Sequence, residues 1–189
     1  MEFTNTHRAL AAIASHAAIG DIDGLTTDLH KYFDDTSLTL NQAKSALEQL
    51  YAYCGFPRSL NALTALMNVV KDRSERGLFT EIGQELKNPN MEVSAEEGTK
   101  TLIALTGSSE RAELYNFVPR IDFYLKSHLF GDIFADTRLT YIEREIVTIS
   151  ILSSLDGVEH QLESHTNIGK RNGLTDENVK EIYKIANKD

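Results

Sequence analysis

The sequence predicts an all-α protein, because two features favour helices and nothing favours strands. Apolar residues recur at spacings of three and four along most of the chain, which is the period of a helix packed on one side. Capping boxes, a hydroxyl followed three residues later by Glu or Gln, stand at Thr39/Gln42, Ser94/Glu97 and Thr140/Glu143. No segment alternates apolar and polar residues as a half-buried strand does.

These patterns place the helices in order along the chain. We expect helices over residues 6 or 7 to 19, 23–33, from 39 to a break at 54–57, from 57 to 76, 94–105, 110–117, 119–130 and 175–186. Two more helices lie between Thr140 and Leu174, joined by a turn at Asp156-Gly157. The polar stretch 77–93 is predicted to be a connecting loop.

The pair of helices between Thr140 and Leu174 carries the most chemically informative residues. The first has an apolar stripe so wide that we expect burial on most sides, and Glu145 lies on that stripe. In the second, His165 shares an apolar row with Leu162 and therefore also points inward. Buried ionisable groups are uncommon unless paired, so the two are either a structural pair that locks the helices together or a catalytic pair.

The chain also contains an internal repeat with a register of 136 residues. Five identities follow that register: Arg8 with Arg144, Ile13 with Ile149, Leu38 with Leu174, Thr39 with Thr175 and Lys44 with Lys180. In the same register Glu145 corresponds to Ala9 and His165 corresponds to Leu29. Only the second copy therefore keeps the ionisable pair.

This repeat divides the chain into three ranges. We predict a degenerate first copy over residues 1–76, a connecting loop and helices over 77–135, and a second copy over 136–189. The second copy is truncated at its C-terminus and has no counterpart of residues 54–63. We expect the two copies to pack together as one domain.

Composition limits the classes of function. The formal net charge of -9 argues against a nucleic-acid-binding surface, which needs clustered Lys and Arg. No apolar run approaches the roughly 20 residues that cross a bilayer, so no membrane partner is expected. The single cysteine, Cys54, cannot form an internal disulfide, which fits a reducing cytoplasm. The six His residues lack the spacing of metal ligands, and we expect neither a metal nor a cofactor.

Three stretches together resemble one known family. They are residues 48–62, which read EQLYAYCGFPRSLNA, residues 144–149, which read REIVTI, and residues 161–175, which include QLESH and NGLT. In order and spacing they resemble the carboxymuconolactone decarboxylase family, which includes the alkyl hydroperoxidase D proteins. The resemblance implies an alkyl hydroperoxidase D-like helical bundle built from two copies. It also implies homo-oligomers, trimers or hexamers, with pockets near helix ends and subunit contacts.

The resemblance implies one of two chemistries. The hydroperoxidase branch combines a Cys-x-x-Cys pair with a Glu and a His, which Glu145 and His165 match. Val158 and Gln161 stand where the cysteines are expected, so composition excludes the dithiol mechanism. The decarboxylase branch needs no thiol, and it implies a cofactor-independent lyase that acts on a small carboxylated or lactone substrate.

The decarboxylase branch gives roles to five residues. His165 would be the general acid that protonates the carbon left by departing carbon dioxide, with Glu145 as its orienting partner. Arg58, beside the Pro that opens a helix, is a candidate anchor for a substrate carboxylate. Asn61 lies one turn further along the same face, and Tyr53 is a candidate lining residue of the substrate site.

Two other functions remain open at this point. Cys54 precedes a helix N-terminus, which would lower the pKa of its thiol. It is therefore a candidate reactive thiol, and a single-cysteine antioxidant peroxidase of the peroxiredoxin type is the first alternative. The second alternative is a non-catalytic oligomeric binding protein, in which the space beside His165 would be closed.

Overall fold

The computed structural model describes residues 1–85, 95–110 and 113–187. The described residues form ten α-helices and one π-helical segment, without a strand. This confirms the predicted all-α class and is consistent with an alkyl hydroperoxidase D-like fold. The helices are α1 (Asn5–Ile19), α2 (Ile22–Asp34), α3 (Leu40–Gln49), α4 (Tyr51–Glu75), α5 (Ala95–Thr106), α6 (Glu113–Phe117), α7 (Pro119–Tyr124), the π-helix (Leu125–Ile133), α8 (Tyr141–Ser153), α9 (Glu159–Arg171) and α10 (Asp176–Asn187).

The chain divides into two compact units. The first consists of Met1–Glu85 and Arg138–Asp189 and holds α1 to α4 and α8 to α10. The second, Leu86–Thr137, holds α5 to α7 and the π-helix. The residues that the sequence singles out for chemistry all belong to the first unit.

The core of the first unit lies around α1 and α8, which pack closely against each other. Helix α1 is rich in alanine and buries an unbroken run of side chains from Ala9 to Ser15. Small side chains let a neighbouring helix approach closely. In α8 every residue from Arg144 to Leu152 is buried, which confirms the predicted burial on most sides. Polar residues on this helix must therefore find partners inside the protein.

The helices of the first unit follow the register of the repeat. Asn5 and Tyr141 begin α1 and α8, and Leu40 and Asp176 begin α3 and α10, in both cases in the 136-residue register. The helix contacts also correspond. Arg8 Nε donates to Glu181 Oε1 at 3.1 Å, and the residues in matching positions, Arg144 and Ser45, form a hydrogen bond of 3.2 Å.

Capping accounts for most of the helix starts. The boxes predicted at Thr39/Gln42 and Thr140/Glu143 are confirmed, with both hydrogen bonds formed in each. Ser94, the first residue of the third predicted box, lies outside the described residues. Helix α1 begins slightly earlier than predicted because Thr4 caps it, with His7 in the place normally taken by Glu or Gln.

The predicted break at residues 54–57 is confirmed as a kink inside α4. Gly55 has φ 75° and ψ 166°, a conformation that favours glycine, and Pro57 follows it. The predicted loop after α4 is confirmed over residues 77–85, which contain no helix, while residues 86–93 of that prediction lie outside the described part. The helix predicted from Pro119 is α7, which is followed directly by the π-helix.

In the second unit α5 packs directly on the π-helix. A Cβ added to Gly98 of α5 would lie 1.5 Å from the backbone oxygen of Lys126, so only glycine allows this contact.

Across the described ranges, no helix is both long enough and apolar enough to cross a membrane. The same ranges hold no cluster of three or more His, Cys, Asp or Glu side chains suited to a metal ion.

Arg73 ties the end of α4 to the segment that follows. Its side chain is buried, and its guanidinium donates to the Phe79 carbonyl at 2.7 Å and to Thr80 Oγ at 2.9 Å. It also donates to Asp34 Oδ1 on α2 at 2.6 Å. Arg73 therefore holds the first part of the predicted loop, while the amides of Leu40 and Asn41 donate to the carbonyls of Glu81 and Ile82 further along it.

This contact makes stability depend on acid pH. The hydrogen bond from Arg73 holds the pKa of Asp34 below its ordinary value of 3.8. Because the folded-state pKa is the lower one, the carboxylate stabilises the fold above about pH 4 and loses this effect as the pH falls further. Asp34 is exposed, so we expect Asp34→Asn to lower the melting temperature by only a few degrees at pH 7. Thermal unfolding at pH 3 should show a smaller difference, and an equal difference at both pH values would contradict this.

Candidate active site

The centre of the site is a hydrogen-bonded pair of ionisable side chains from consecutive helices. Glu145 on α8 is completely buried, and the side chain of His165 on α9 is 13% exposed. His165 Nδ1 lies 2.9 Å from Glu145 Oε2. The two residues that the sequence places inward therefore meet, with the carboxylate inside and the imidazole at the boundary with solvent.

Glycine lets α9 approach α8 at this point. Gly169 lies one turn beyond His165, and a Cβ there would be 3.2 Å from Ile149 Cδ1 and 2.7 Å from Leu174 Cδ1. It would also lie 3.6 Å from Glu145 Cβ. A larger residue at position 169 would push the imidazole away from the carboxylate.

The hydrogen bond sets which imidazole nitrogen faces the carboxylate. Because an ionised carboxylate can only accept, the tautomer that suits this contact has its hydrogen on Nδ1 and leaves Nε2 as the nitrogen that faces away from Glu145. The second carboxylate oxygen, Glu145 Oε1, is buried and has no hydrogen-bond partner among the described residues. A buried carboxylate oxygen without a partner is unusual and marks a place where a ligand or water would be stabilised.

A buried polar network lies behind this pair. The side chain of Arg144 is fully buried, and its Nη1 donates to Gln49 Oε1 at 2.9 Å while Nη2 donates to Ser45 Oγ at 3.2 Å. Gln49 Nε2 donates to the Arg144 carbonyl at 3.0 Å and to Thr148 Oγ at 2.9 Å. Thr148 Oγ in turn donates to Tyr53 Oη at 3.2 Å. The network thus joins α3, α4 and α8.

This network was not predicted from the sequence, although the sequence carries a signal for it. Arg144 and Thr148 are one turn apart on the buried helix α8, and Ser45 and Gln49 are one turn apart on α3. Polar residues at that spacing on two buried faces indicate that the faces are matched. In the sequence, Arg144 stands out only as part of the internal repeat and of the family resemblance.

The structure brings Tyr53 into the site. Its ring lies edge-on to the His165 imidazole, with 5.9 Å between centroids. Burial, followed by the negative charge of Glu145, raises the pKa of Tyr53 well above its ordinary value. The phenol therefore stays protonated at any physiological pH and acts only as a neutral hydroxyl.

Arg58 and Asn61 are both exposed on the surface of the first unit. The Arg58 guanidinium lies close to Gly20 at the C-terminal end of α1. A Cβ added to Gly20 would be only 2.7 Å from Arg58 Nη1. A cation is favourable at that end of a helix. Within the described part of the chain, no hydrogen bond or ion pair joins Arg58 or Asn61 to Glu145 or His165.

Cys54 is partly buried against the core of the first unit. Burial raises the pKa of its thiol, and the opposing charge of Arg58 does not overcome this effect. The expected lowering of the Cys54 pKa by the helix N-terminus is therefore wrong. Gly55 interrupts the helix directly after the cysteine, so the thiol does not precede a regular first turn.

This environment predicts a slow thiol. We expect Cys54 to react with iodoacetamide or hydrogen peroxide at neutral pH several times more slowly than free cysteine, because less of it is thiolate. The unfolded protein in urea supplies the matched control, in which the same thiol should react at the rate of a free peptide. Peroxide oxidation of the folded protein that is faster than that of the unfolded chain would contradict the prediction.

Comparison with known proteins adds one finding to this geometry. The model of the carboxymuconolactone decarboxylase family matches residues 119–187, a little over a third of the chain. No curated protein matches the sequence. The matched range contains Glu145 and His165, whereas Tyr53, Cys54 and Arg58 lie outside it. This region, which carries both members of the hydrogen-bonded pair, is similar to the carboxymuconolactone decarboxylase family.

Proposed function

We propose that this protein is a cofactor-independent carboxy-lyase acting on a small carboxylated lactone. His165 is the general acid and Glu145 orients it and balances its charge. The observation that carries the proposal is the 2.9 Å contact between a completely buried carboxylate and an imidazole that solvent reaches. The match of residues 119–187 to the decarboxylase family supports the reaction class, and it leaves the substrate to experiment.

The reaction follows from the chemistry of the pair. When the substrate carboxylate leaves as carbon dioxide, its bonding electrons remain on the lactone as a dienolate. Cationic His165 gives the Nε2 proton to the carbon that lost the carboxylate, and the neutral ring then takes a proton from solvent. Each turnover therefore releases one carbon dioxide and consumes one proton. Glu145 stabilises the cationic ring through Nδ1 and keeps Nε2 directed at the substrate.

We also propose that Arg58 and Asn61 bind the substrate carboxylate. Both are exposed, and a guanidinium and an amide one turn apart can each donate to a carboxylate. Because neither contacts the pair, a second copy of the chain is one way to bring them to a site. An Arg58→Gln variant should raise KM more than it lowers kcat, since it weakens binding without altering the proton donor.

We also propose that the protein is a homo-oligomer, a trimer or hexamer, in a reducing compartment such as the cytoplasm. Phe56, Leu60 and Met67 of α4 share one face and are 62%, 58% and 63% exposed, which is unusual for large apolar side chains unless another surface covers them. Light scattering measures the mass directly. A wild-type monomer at micromolar concentration would end this part of the proposal.

The test of the reaction is a survey of carboxylated butenolides as substrates. Wild-type protein should release carbon dioxide from at least one of them and, in heavy water, place deuterium on the carbon that carried the carboxylate. A His165→Ala variant that works as fast as the wild type would remove His165 from the mechanism. If none of the carboxylated lactones is turned over, the proposed reaction is wrong.

A further inference from the structure

We infer that the Tyr53 hydroxyl is the oxyanion donor of this site, and that a one-way chain of hydrogen bonds beginning at Arg144 directs its hydrogen toward the ligand. The inference rests on the proposed function for the identity of the oxygen that Tyr53 binds. That the Tyr53 hydroxyl is a donor is inferred from the hydrogen bonds that join Arg144, Gln49, Thr148 and Tyr53.

The direction of the chain begins at the guanidinium. Arg144 has only donors, so the side-chain atom of Gln49 that faces Nη1 must be the oxygen. The amide nitrogen of Gln49 then faces the Arg144 carbonyl and Thr148 Oγ, which are both acceptors. The opposite orientation would set the amide hydrogens against the guanidinium and the amide oxygen against a carbonyl. Arg144 thereby determines which way the Gln49 amide points.

Thr148 continues the chain of hydrogen bonds in the same direction. Its oxygen accepts from Gln49, so its single hydrogen needs an acceptor. The carbonyl of Arg144, one turn earlier in α8, already accepts from Gln49 and from the helical amide of residue 148. The hydrogen of Thr148 is therefore donated to Tyr53 Oη, 3.2 Å away. Tyr53 Oη thus accepts from inside the protein, which leaves its own hydrogen to be donated to another acceptor.

The surroundings of Tyr53 define that acceptor. The ring stands edge-on to His165 with 5.9 Å between centroids, so an oxygen bound to the hydroxyl would lie in the neighbourhood of the imidazole. The raised pKa of Tyr53 supports a role in which the hydroxyl donates a hydrogen bond without losing its proton. The matching substrate group is a lactone carbonyl, because its oxygen gains negative charge in the dienolate and the hydrogen bond strengthens as it does. Tyr53 would thus bind the transition state more tightly than the substrate.

Three variants distinguish this arrangement from a merely structural tyrosine. Tyr53→Phe removes the hydroxyl and keeps the ring. Gln49→Glu replaces the amide with a group that accepts from both Arg144 and Thr148, so Thr148 no longer donates to Tyr53 and Tyr53 donates to Thr148 instead. Thr148→Val removes the donor to Tyr53 but leaves the phenol hydrogen free for a ligand. Circular dichroism and thermal unfolding show whether each variant is folded.

The probe is an unsubstituted butenolide, a lactone that has no carboxylate to lose, and its dissociation constant is measured by NMR titration. We expect Tyr53→Phe and Gln49→Glu each to weaken binding about five- to tenfold, the value of one hydrogen bond to a carbonyl. The double variant Tyr53→Phe/Gln49→Glu should bind the butenolide no more weakly than Tyr53→Phe alone. Thr148→Val should lose less than about threefold in affinity. Unchanged binding by Tyr53→Phe would overturn the donor role, and unchanged binding by Gln49→Glu would overturn the one-way chain.

A second measurement needs no folded variant of the network. In wild-type protein labelled with 13C at the tyrosine ζ carbon, the Tyr53 resonance should move and saturate as butenolide is added. A resonance that does not move, or a butenolide that does not bind, would overturn the inference. Failure to release carbon dioxide from carboxylated lactones would instead defeat the proposed reaction and leave this result standing, so the two failures are distinguishable.

Discussion

The His165→Asn variant is expected to decarboxylate its substrate about 10² to 10⁴ times more slowly than the wild type, which is the usual contribution of a positioned general acid. Asparagine places an amide nitrogen close to the position of Nδ1, so the hydrogen bond to Glu145 and the packing of α9 on α8 are retained. What is lost is Nε2, the nitrogen that carries the transferred proton. The loss should therefore appear in kcat, with stability nearly unchanged.

Two further variants make this prediction specific. His160 is exposed on the same helix, so His160→Asn controls for the loss of an imidazole and should leave turnover unchanged. Glu145→Gln keeps the size of the buried side chain and removes its charge, and it should slow turnover less than His165→Asn does. Because Glu145 acts through His165, the double variant should be no slower than His165→Asn alone. Fully additive losses would show that the two residues act independently.

Arg144→Met is expected to destabilise the protein by about 3–5 kcal/mol, the cost of breaking a buried charged network by removing one member. The guanidinium is completely buried and serves Gln49 and Ser45, both of which are themselves buried. Methionine fills part of the volume but leaves the oxygen of Gln49 without its donor, and an unsatisfied buried polar group carries its full desolvation cost. Urea denaturation measures the change in the free energy of unfolding.

The internal repeat supplies a matched control for this experiment. Arg8 occupies the corresponding position of the first copy and pairs with Glu181, but both side chains are about two-fifths exposed, at 40% and 36%. Arg8→Met should therefore cost no more than about 1 kcal/mol, as exposed ion pairs do. Replacing Gln49 with Leu in the Arg144→Met background should recover part of the lost stability, because no polar group is then left unpaired. Equal costs for Arg8→Met and Arg144→Met would show that burial of the network is not what stabilises it.

Sequence alone determined the features of this protein that depend on neighbours along the chain. Helical period placed Glu145 on the buried side of α8, and the same period placed His165 inward on α9. The capping residues set the start of α8 at Thr140 and of α3 at Thr39. The direction of a side chain on a helix is a local property, so spacing was enough to predict it.

Tertiary structure alone decided which inward residues meet across helices distant in sequence. Gln49 contacts Arg144 from 95 residues away, and this contact depends on how α3 packs on α8. The thiol of Cys54 has a raised pKa because its burial outweighs the nearby charge, and neither burial nor that distance can be found from local spacing. Tyr53 stands at the imidazole for the same reason, since the packing of α4 sets its distance from α9. Helical period gives each side chain a direction, whereas the distances that control hydrogen bonds and proton affinity arise only when the helices pack together.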